Sequence, residues 1–417
     1  MTTPDDRTDA APPALHLHYR GLQRPARLER AEVLLPLLSQ IVRAWPATRS
    51  TAHAADPFVT LRPLADGDWQ LDAHLGNGAR SFDPVNAVCD FVAELSWERI
   101  RSHPEFLCLH AAGVAFGGRL VLFPSARRAG KSTLATALAR LGHRLYSDDF
   151  VQVEIAPPDG LVQGHANGIA PRLRLPLPDD SSPGFRAWVA ADPGPANAQY
   201  KYLATAPLAA ADEALPLGAI VVLDRADVPT APRLDPIAPE EALARLILQN
   251  FARATHAGGI LQAAQAIVAG LPTFRLSYSG FEAAAELLHT APELAALAPT
   301  HVTDDPALDR RAVLPQHLAD APPAFDPATA YAQAPGLTET GAGDDWFLAD
   351  GAGTSIHRLN AGSALIWRLL AEPIGLDDIA AVIAELYPDA GAAQIRSDAE
   401  RCLRAFLAAR LIAPAGR

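Results

Sequence analysis

Apolar and polar residues alternate on either side of Asp66-Gly67, which predicts a β-hairpin over residues 57–75. Val59 and Leu61 lie on one arm, and Trp69, Leu71, Ala73 and Leu75 on the other. Asp83-Pro84 then offers an N-cap followed by proline at the first helical position. Val85, Val88, Val92 and Leu95 recur at helical spacing, so a helix is expected to about Ile100. Two apolar segments, Leu107–Phe116 and Leu120–Phe123, flank the turn signal Gly117-Gly118. The second runs into a polar loop, after which Leu134, Leu138 and Leu141 share a helical face that Gly142 ends. Arg144–Tyr146 and Val151–Ile155 read as strands on either side of Ser147-Asp148-Asp149.

Residues 156–200, rich in Pro and Gly, are expected to be mostly loop. Ala219–Leu223 reads as a buried strand, Phe274, Leu276 and Tyr278 alternate as another, and Glu240–Ala252 and Phe281–Leu297 look helical. The alternation of strands and helices predicts an α/β architecture with a mixed sheet. Residues 298–343 lose this periodicity and read as a linker. Order returns with strands at Trp346–Ala349 and Ser355–Arg358, then helices at Gly362–Leu370, Leu376–Tyr387 and Ala392–Leu411. The expected division is an N-terminal α+β region over 1–104, a catalytic domain over 105–298, a linker over 299–343 and a small α+β domain over 344–417.

Composition narrows the function. With 417 residues and 49% hydrophobic residues, the chain has material for two to three packed cores. A net charge of −12 without a basic block argues against nucleic acid as partner. Met1–Ala14 is acidic and Pro-rich, unlike a signal peptide, and no apolar run reaches the roughly 18 residues of a membrane span. Cys89, Cys108 and Cys402 show neither metal nor disulfide spacing. These features predict a soluble cytoplasmic protein with inert thiols. Only two of the 35 basic residues are lysines, Lys131 and Lys201, so a compact ammonium is favoured at those positions over a planar guanidinium.

Lys131 lies in Ser125-Ala126-Arg127-Arg128-Ala129-Gly130-Lys131-Ser132-Thr133, between a predicted strand and helix. That is the setting of a phosphate loop, whose backbone N–H groups and helix N-terminus converge on phosphate. Lys131 would pair with the β- and γ-phosphates of ATP, and the Ser132 hydroxyl would ligate Mg²⁺. Ser125 stands where the usual pattern has its first glycine, and Arg127 and Arg128 occupy the loop. An ordinary strand-to-helix turn with a chance Gly-Lys-Ser-Thr is the plainer alternative.

His110, in Leu107-Cys-Leu-His-Ala-Ala-Gly-Val114, precedes this loop, and Gly142-His-Arg-Leu-Tyr-Ser-Asp148-Asp149 follows it. In this order and spacing the three segments resemble the HPr kinase/phosphorylase family and its kinase-related offshoots, clearly so over residues 105–155. The resemblance implies a phosphate-loop kinase fold, ATP and Mg²⁺ as cofactors, and a homo-oligomer. It makes Asp148 the catalytic base, puts Asp149 at the metal or beside its neighbour, and places His110 near the phosphate. A solvated turn for the aspartate pair and a hydrogen-bonded core histidine are the alternatives. The family's E-x-x-G-x-G signature is missing; Gly164-His-Ala-Asn-Gly168 and Arg172-Leu-Arg174 stand in that region, and phosphate contact by these arginines is a weaker expectation. HPr is therefore not the expected substrate. Asp224, at the end of an apolar run, is a weaker candidate for the metal.

His357-Arg-Leu-Asn360-Ala-Gly-Ser-Ala-Leu-Ile-Trp367-Arg-Leu-Leu370, with the helices that follow, resembles the PqqD family of small winged-helix-like peptide-binding domains over residues 344–414. Trp367, Leu370 and Ile379 read as its core. The resemblance implies capture of a precursor peptide's leader on a sheet edge. Fused to a kinase, it would concentrate the peptide at the active site. The expected function is ATP-dependent phosphorylation of a Ser or Thr hydroxyl on a ribosomally made peptide. Two rivals stand beside it: a small-molecule kinase with a partner-docking C-terminal domain, and a non-catalytic nucleotide-binding scaffold or peptide chaperone.

Overall fold

The computed structural model describes residues 14–52, 56–73, 78–126, 129–156, 160–251, 254–302, 306–313 and 324–415. The N-terminal lobe is a six-stranded sheet built from β1 (Leu15–Tyr19), β2 (Ala26–Leu28), β3 (Ala47–Ser50), β4 (Val59–Pro63), β5 (Trp69–Ala73) and β6 (Ala79–Ser81), in the order β3-β1-β2-β4-β5-β6. The predicted hairpin is β4–β5, registered Leu61 to Leu71. Leu75, its expected last residue, lies outside the described residues. Two helices, α1 (Leu35–Ile41) and α2 (Pro84–Ser102), complete the lobe. The Asp83 side chain caps α2 by accepting from Asn86 N, as its sequence position implies. The lobe has no separate core: Phe91 and Trp45 share a cluster with Cys108, Phe150, Ile169 and Tyr202 of the next region.

That region carries a nine-stranded mixed sheet. Its strands are β7 (Leu107–Leu109), β8 (Ala111–Phe116), β9 (Arg119–Pro124), β10 (Leu145–Ser147), β11 (Val151–Ala156) and β12 (Leu161–His165), then, beyond a two-stranded side ribbon of β13 (Arg172–Arg174) and β14 (Tyr200–Tyr202), β15 (Ala214–Arg225), β16 (Arg233–Pro236) and β17 (Thr273–Tyr278). The twelve-residue β15 pairs antiparallel with β12 near its start, then parallel with β9 and with β17. β9 and β15 thus end side by side, with the phosphate loop following β9. The helices are α3 (Lys131–Arg140), α4 (Pro183–Ala191), α5 (Pro239–Leu248), α6 (Ala257–Gly270), α7 (Phe281–Thr290) and α8 (Pro292–Ala295). Pro292 breaks the single helix expected over 281–297, and the stretch expected to be loop contains α4, capped by Ser182.

The C-terminal part contains β18 (Tyr331–Gln333), β19 (Thr338–Ala342), β20 (Asp345–Ala349), β21 (Ile356–Leu359), α9 (Ala361–Leu369), α10 (Leu376–Leu386), α11 (Ala392–Ala408) and β22 (Ile412–Pro414). Trp367, Leu370 and Ile379 lie in its core, as expected of them. The linker reading needs correction, because β18 and β19 fall inside it and belong to this domain's sheets. Nor does the domain hang from a tether. Ala342, Phe347 and Ala349 pack in one cluster with Ala257, Ile260 and Leu261 of α6. Ala257 N donates to Gly353 O at 2.8 Å. At Gly258 any Cβ would lie 2.5 Å from Thr338 Oγ1, so only glycine lets β19 come this close.

Candidate active site

The predicted phosphate loop leaves β9 at Pro124 and enters α3 through Gly130, which adopts φ +91°. A Cβ there would stand 3.1 Å from Tyr278 Oη, and that hydroxyl donates to Ala129 O at 3.2 Å. The glycine is therefore required twice, for its dihedral and for Tyr278's approach. Ser125, the departure from the glycine pattern, is not among the residues with positive φ. It is buried, and its Oγ accepts from Leu223 N at 3.2 Å and donates to Pro124 O at 2.7 Å. A side chain at this position ties the loop to β15. Arg127 and Arg128 lie outside the described residues.

Lys131 is buried, and its Nζ donates to Ser125 O at 2.6 Å and Ala126 O at 3.0 Å. The ammonium thus lies under the loop, held by oxygens of the kind a phosphate would supply. Ser132 and Thr133 start the helix, and Ser132 Oγ donates to Asp148 O at 3.3 Å, joining α3 to the aspartate turn.

That turn lies between the end of β10 and the start of β11, so both carboxylates are released from strand alternation. The Ser147 hydroxyl organises it, accepting from the backbone N–H of Asp149 at 3.1 Å and of Phe150 at 3.0 Å. Asn167 Nδ2 reaches the same oxygen at 2.9 Å. The Gly164–Gly168 segment thus supports the aspartate turn through its asparagine, a role that Ser, Asn and Asp favour in turns but that sequence reading missed.

Asp148 is buried and accepts from Arg172 N at 3.1 Å. Burial, then the neighbouring Asp149 charge, push its carboxyl up to about 6 against that hydrogen bond. The Asp149 side chain is 64% exposed and lies 3.4 Å from His110 Nε2. Desolvation raises its carboxyl, but His110, with Arg172 and Lys131 behind it, outweighs this and holds the group below the usual range. Two adjacent carboxylates are driven apart, the pattern by which one acts as a base while the other stays a charge. Arg172 is reached through its backbone N–H, and its guanidinium stacks 4.6 Å over the Tyr200 ring beside the Cys89 thiol. Arg174 is exposed, as is Asp224 at the end of β15.

His110 joins the site from the end of β7, with its side chain only 12% exposed. Its ring packs 5.3 Å from Phe251, and its Nδ1 lies 3.1 Å from Gln249 Oε1. Gln249 was invisible in the sequence, being 139 residues away.

The donor set fits a nucleotide with Mg²⁺: one hydroxyl, two carboxylates and a helix N-terminus, all hard oxygen or N–H groups. Among the described residues no group of three or more His, Cys, Asp or Glu could hold a metal ion. A magnesium held by few protein ligands and by phosphate oxygens needs no such cage. Beside Ala129 opens a cavity of about 700 Å³ lined by Pro178, Asp180, Arg225, Asp227 and Ser279 among others. In the C-terminal domain, a groove of about 620 Å³ runs between β21 and α11, lined by Arg358, Ile366, Tyr387, Arg401 and Phe406 among others. No described helix is long and apolar enough to cross a membrane.

No curated protein matches the chain. Among solved structures it is similar to one titled "Structure of the Hpr(Ser) kinase/phosphatase from Coxiella burnetii", at 12% identity and a TM-score of 0.20, over 41% of this chain and 85% of that one. A superposition that loose adds nothing to the argument from residues. The C-terminal domain is matched by a family: residues 345–412 carry a PqqD domain, described as Coenzyme PQQ synthesis protein D (PqqD).

Proposed function

We propose that this protein is an ATP- and Mg²⁺-dependent kinase that phosphorylates a Ser or Thr hydroxyl of a ribosomally made precursor peptide held by its PqqD domain. The observation that carries the reading is the meeting of three separate segments at the N-terminus of α3. The Ser132 hydroxyl reaches the aspartate turn, and Asp149 reaches His110. Lys131 and the α3 N-terminus would bind the phosphates, and the cavity beside Ala129 gives room for the nucleoside. Mg²⁺ held by Ser132 and Asp149 would neutralise charge on the transferring phosphoryl group. Asp148 is the base: it is ionised at neutral pH, and with its carboxyl pushed up to about 6 it can accept the substrate hydroxyl's proton. The Arg172 N–H holds one of its oxygens in place.

The peptide half of the reading rests on the PqqD domain and on its groove beside β21, an edge strand paired on one side by β20. A leader strand added there would gain backbone bonds from β21 and side-chain contacts from the groove. Calorimetry with ATP and Mg²⁺ on wild type and Lys131→Ala tests the first half; micromolar binding lost in the variant supports it. The second half is tested by mass spectrometry of candidate peptides with Tyr387→Ala and Arg401→Ala, both lining the groove. Deleting the domain is the poorer experiment, because its sheet packs on α6 and its removal exposes Ile260 and Leu261. Peptide phosphorylation unchanged by both groove variants would sink the capture role. Turnover of a free metabolite without peptide would favour the small-molecule rival.

A further inference from the structure

The chain leaving α5, residues 249–251, runs beside the end of β7 almost as an extra strand. His110 N donates to Gln249 O at 2.7 Å, and Phe251 N donates to Cys108 O at 2.8 Å. Gln249 is the C-cap of α5, so its backbone direction is set by the helix, and its side chain turns back onto the ring it already holds by the backbone. The histidine has two ring nitrogens with different neighbours: Nε2 faces Asp149 at 3.4 Å, and Nδ1 faces the Gln249 amide at 3.1 Å.

The Asp149 carboxylate accepts only, so it requires the Nε2 proton. A neutral ring with its proton on Nε2 then has a lone pair on Nδ1, which needs a donor. A primary amide supplies that donor from its NH₂ by a half turn of the terminal torsion that now sets Oε1 against the ring; an aliphatic side chain supplies none, and a carboxylate can only accept.

We propose that Gln249 is a positioning residue of this site, which keeps the His110 Nε2–H directed at Asp149 and the adjoining phosphate region. Its bearing on phosphoryl transfer rests on the kinase reading above, whereas the position of the ring proton does not.

The test uses full-length protein labelled with ¹⁵N-histidine, with His110→Asn to assign the ring, in spectra recorded at pH 8. Wild type is expected to show the His110 proton on Nε2. In Gln249→Leu the ring signals should move toward the averaged position of an exchanging ring. In Gln249→Glu the ring with a bare Nδ1 should no longer be seen, because a carboxylate there can only accept and requires a proton on that nitrogen. The same ring tautomer in all three proteins, or an averaged ring in wild type, would overturn the proposal. If Gln249→Leu does not fold, wild type and Gln249→Glu decide it. Where ATP turnover is measurable, Gln249→Leu should lower kcat by about 10-fold or more with KM for ATP moved less than about twofold. Loss of ATP binding in wild type would sink the kinase reading while leaving the ring spectra to judge Gln249.

Discussion

The chain's two lysines lie in two regions that use the same device to different ends. Lys131 donates to Ser125 O and Ala126 O in the phosphate loop, and Lys201 donates to Asp192 O at 2.6 Å and Gly194 O at 2.7 Å in the connection that precedes β14. Both ammonium groups are buried, and both are held by main-chain carbonyls a few residues upstream. The surroundings differ. Around Lys201 the loop is closed: the Asp192 carboxylate is occupied by the N–H groups of Gly194, Ala204 and Thr205 and by the Thr205 hydroxyl. Around Lys131 the loop stands at a helix N-terminus, next to an exposed carboxylate and a cavity. A lysine in a carbonyl ring is therefore a permanent latch in one region and, in the proposed kinase, an interim arrangement that phosphate oxygens would replace in the other.

The sharpest way to break this comparison is to remove each ammonium. Lys131→Met should weaken ATP binding by roughly 100-fold or more, since a charge-assisted contact to phosphate is lost, while thermal stability falls by only about 1 kcal/mol. Lys201→Met should do the reverse. It leaves two buried carbonyls without their donor and is expected to cost about 3 kcal/mol in denaturant unfolding, with the ATP affinity of the folded protein unchanged. Calorimetry and unfolding on the two variants decide the matter. Equal stability losses, or equal affinity losses, would show that the two regions are not different in kind.

A second contrast sets Asp148 against Asp192, one aspartate raised by its surroundings and the other lowered. Asp192 is desolvated too, but the Thr205 hydroxyl and three backbone N–H groups outweigh that. At Asp148 burial and the neighbouring Asp149 charge prevail over the Arg172 N–H, the Arg172 charge and the Ser132 hydroxyl, and its folded-state value lies at about 6, above the 3.8 usual for aspartate. The sign follows from linkage: protonated Asp148 favours the fold, so its contribution is complete below about pH 4 and is lost as the pH rises through about 6. Asp148→Asn should therefore abolish phosphoryl transfer yet raise stability at pH 8 by on the order of 2 kcal/mol, with the gap closing toward pH 4. Wild-type kcat should rise as the pH passes about 6. An Asp148→Asn protein less stable than wild type at pH 8 would remove the strained-base interpretation.

Much of the site was legible because its chemistry lies in contiguous loops. The phosphate loop, the Ser-Asp-Asp turn and the Asp83 cap each declare themselves within a few residues, and their strands and helices carry clear apolar periods. What escaped was of two kinds. Helix α6 has nine buried residues and only two polar ones, Gln262 and Gln265, so its amphipathic period is weak, and Gly258-Gly259 at its start reads as a break. Gly258 gives room to Thr338 of β19, and Gly259 to the backbone carbonyls of Pro306 and Ala307. Gln249 and Asn167 escaped because their partners are remote in sequence, and nothing local distinguishes a glutamine at a helix end from a solvated one. Helix α4 could have been found: Ser182-Pro183 is a cap followed by proline at the first turn, the same signal read correctly at Asp83-Pro84.

Ser125 is where sequence and structure part most sharply, and there the smallest predicted effect is the most instructive. The missing glycine suggests a handicapped loop that Ser125→Gly should repair. Instead, Ser125 lies in a backbone conformation that needs no glycine and spends its hydroxyl joining β9 to β15 through Leu223 N. Ser125→Gly deletes that bond and adds freedom to the unfolded chain, so stability should fall by about 1–2 kcal/mol. The loop N–H groups and Lys131 are untouched, so ATP affinity should stay within about twofold. Calorimetry on this one variant separates the two views: a tenfold gain in affinity would mean that the side chain obstructs phosphate, and an unchanged Kd with a lowered melting temperature would mean that serine closes the strand pair on which the loop is mounted.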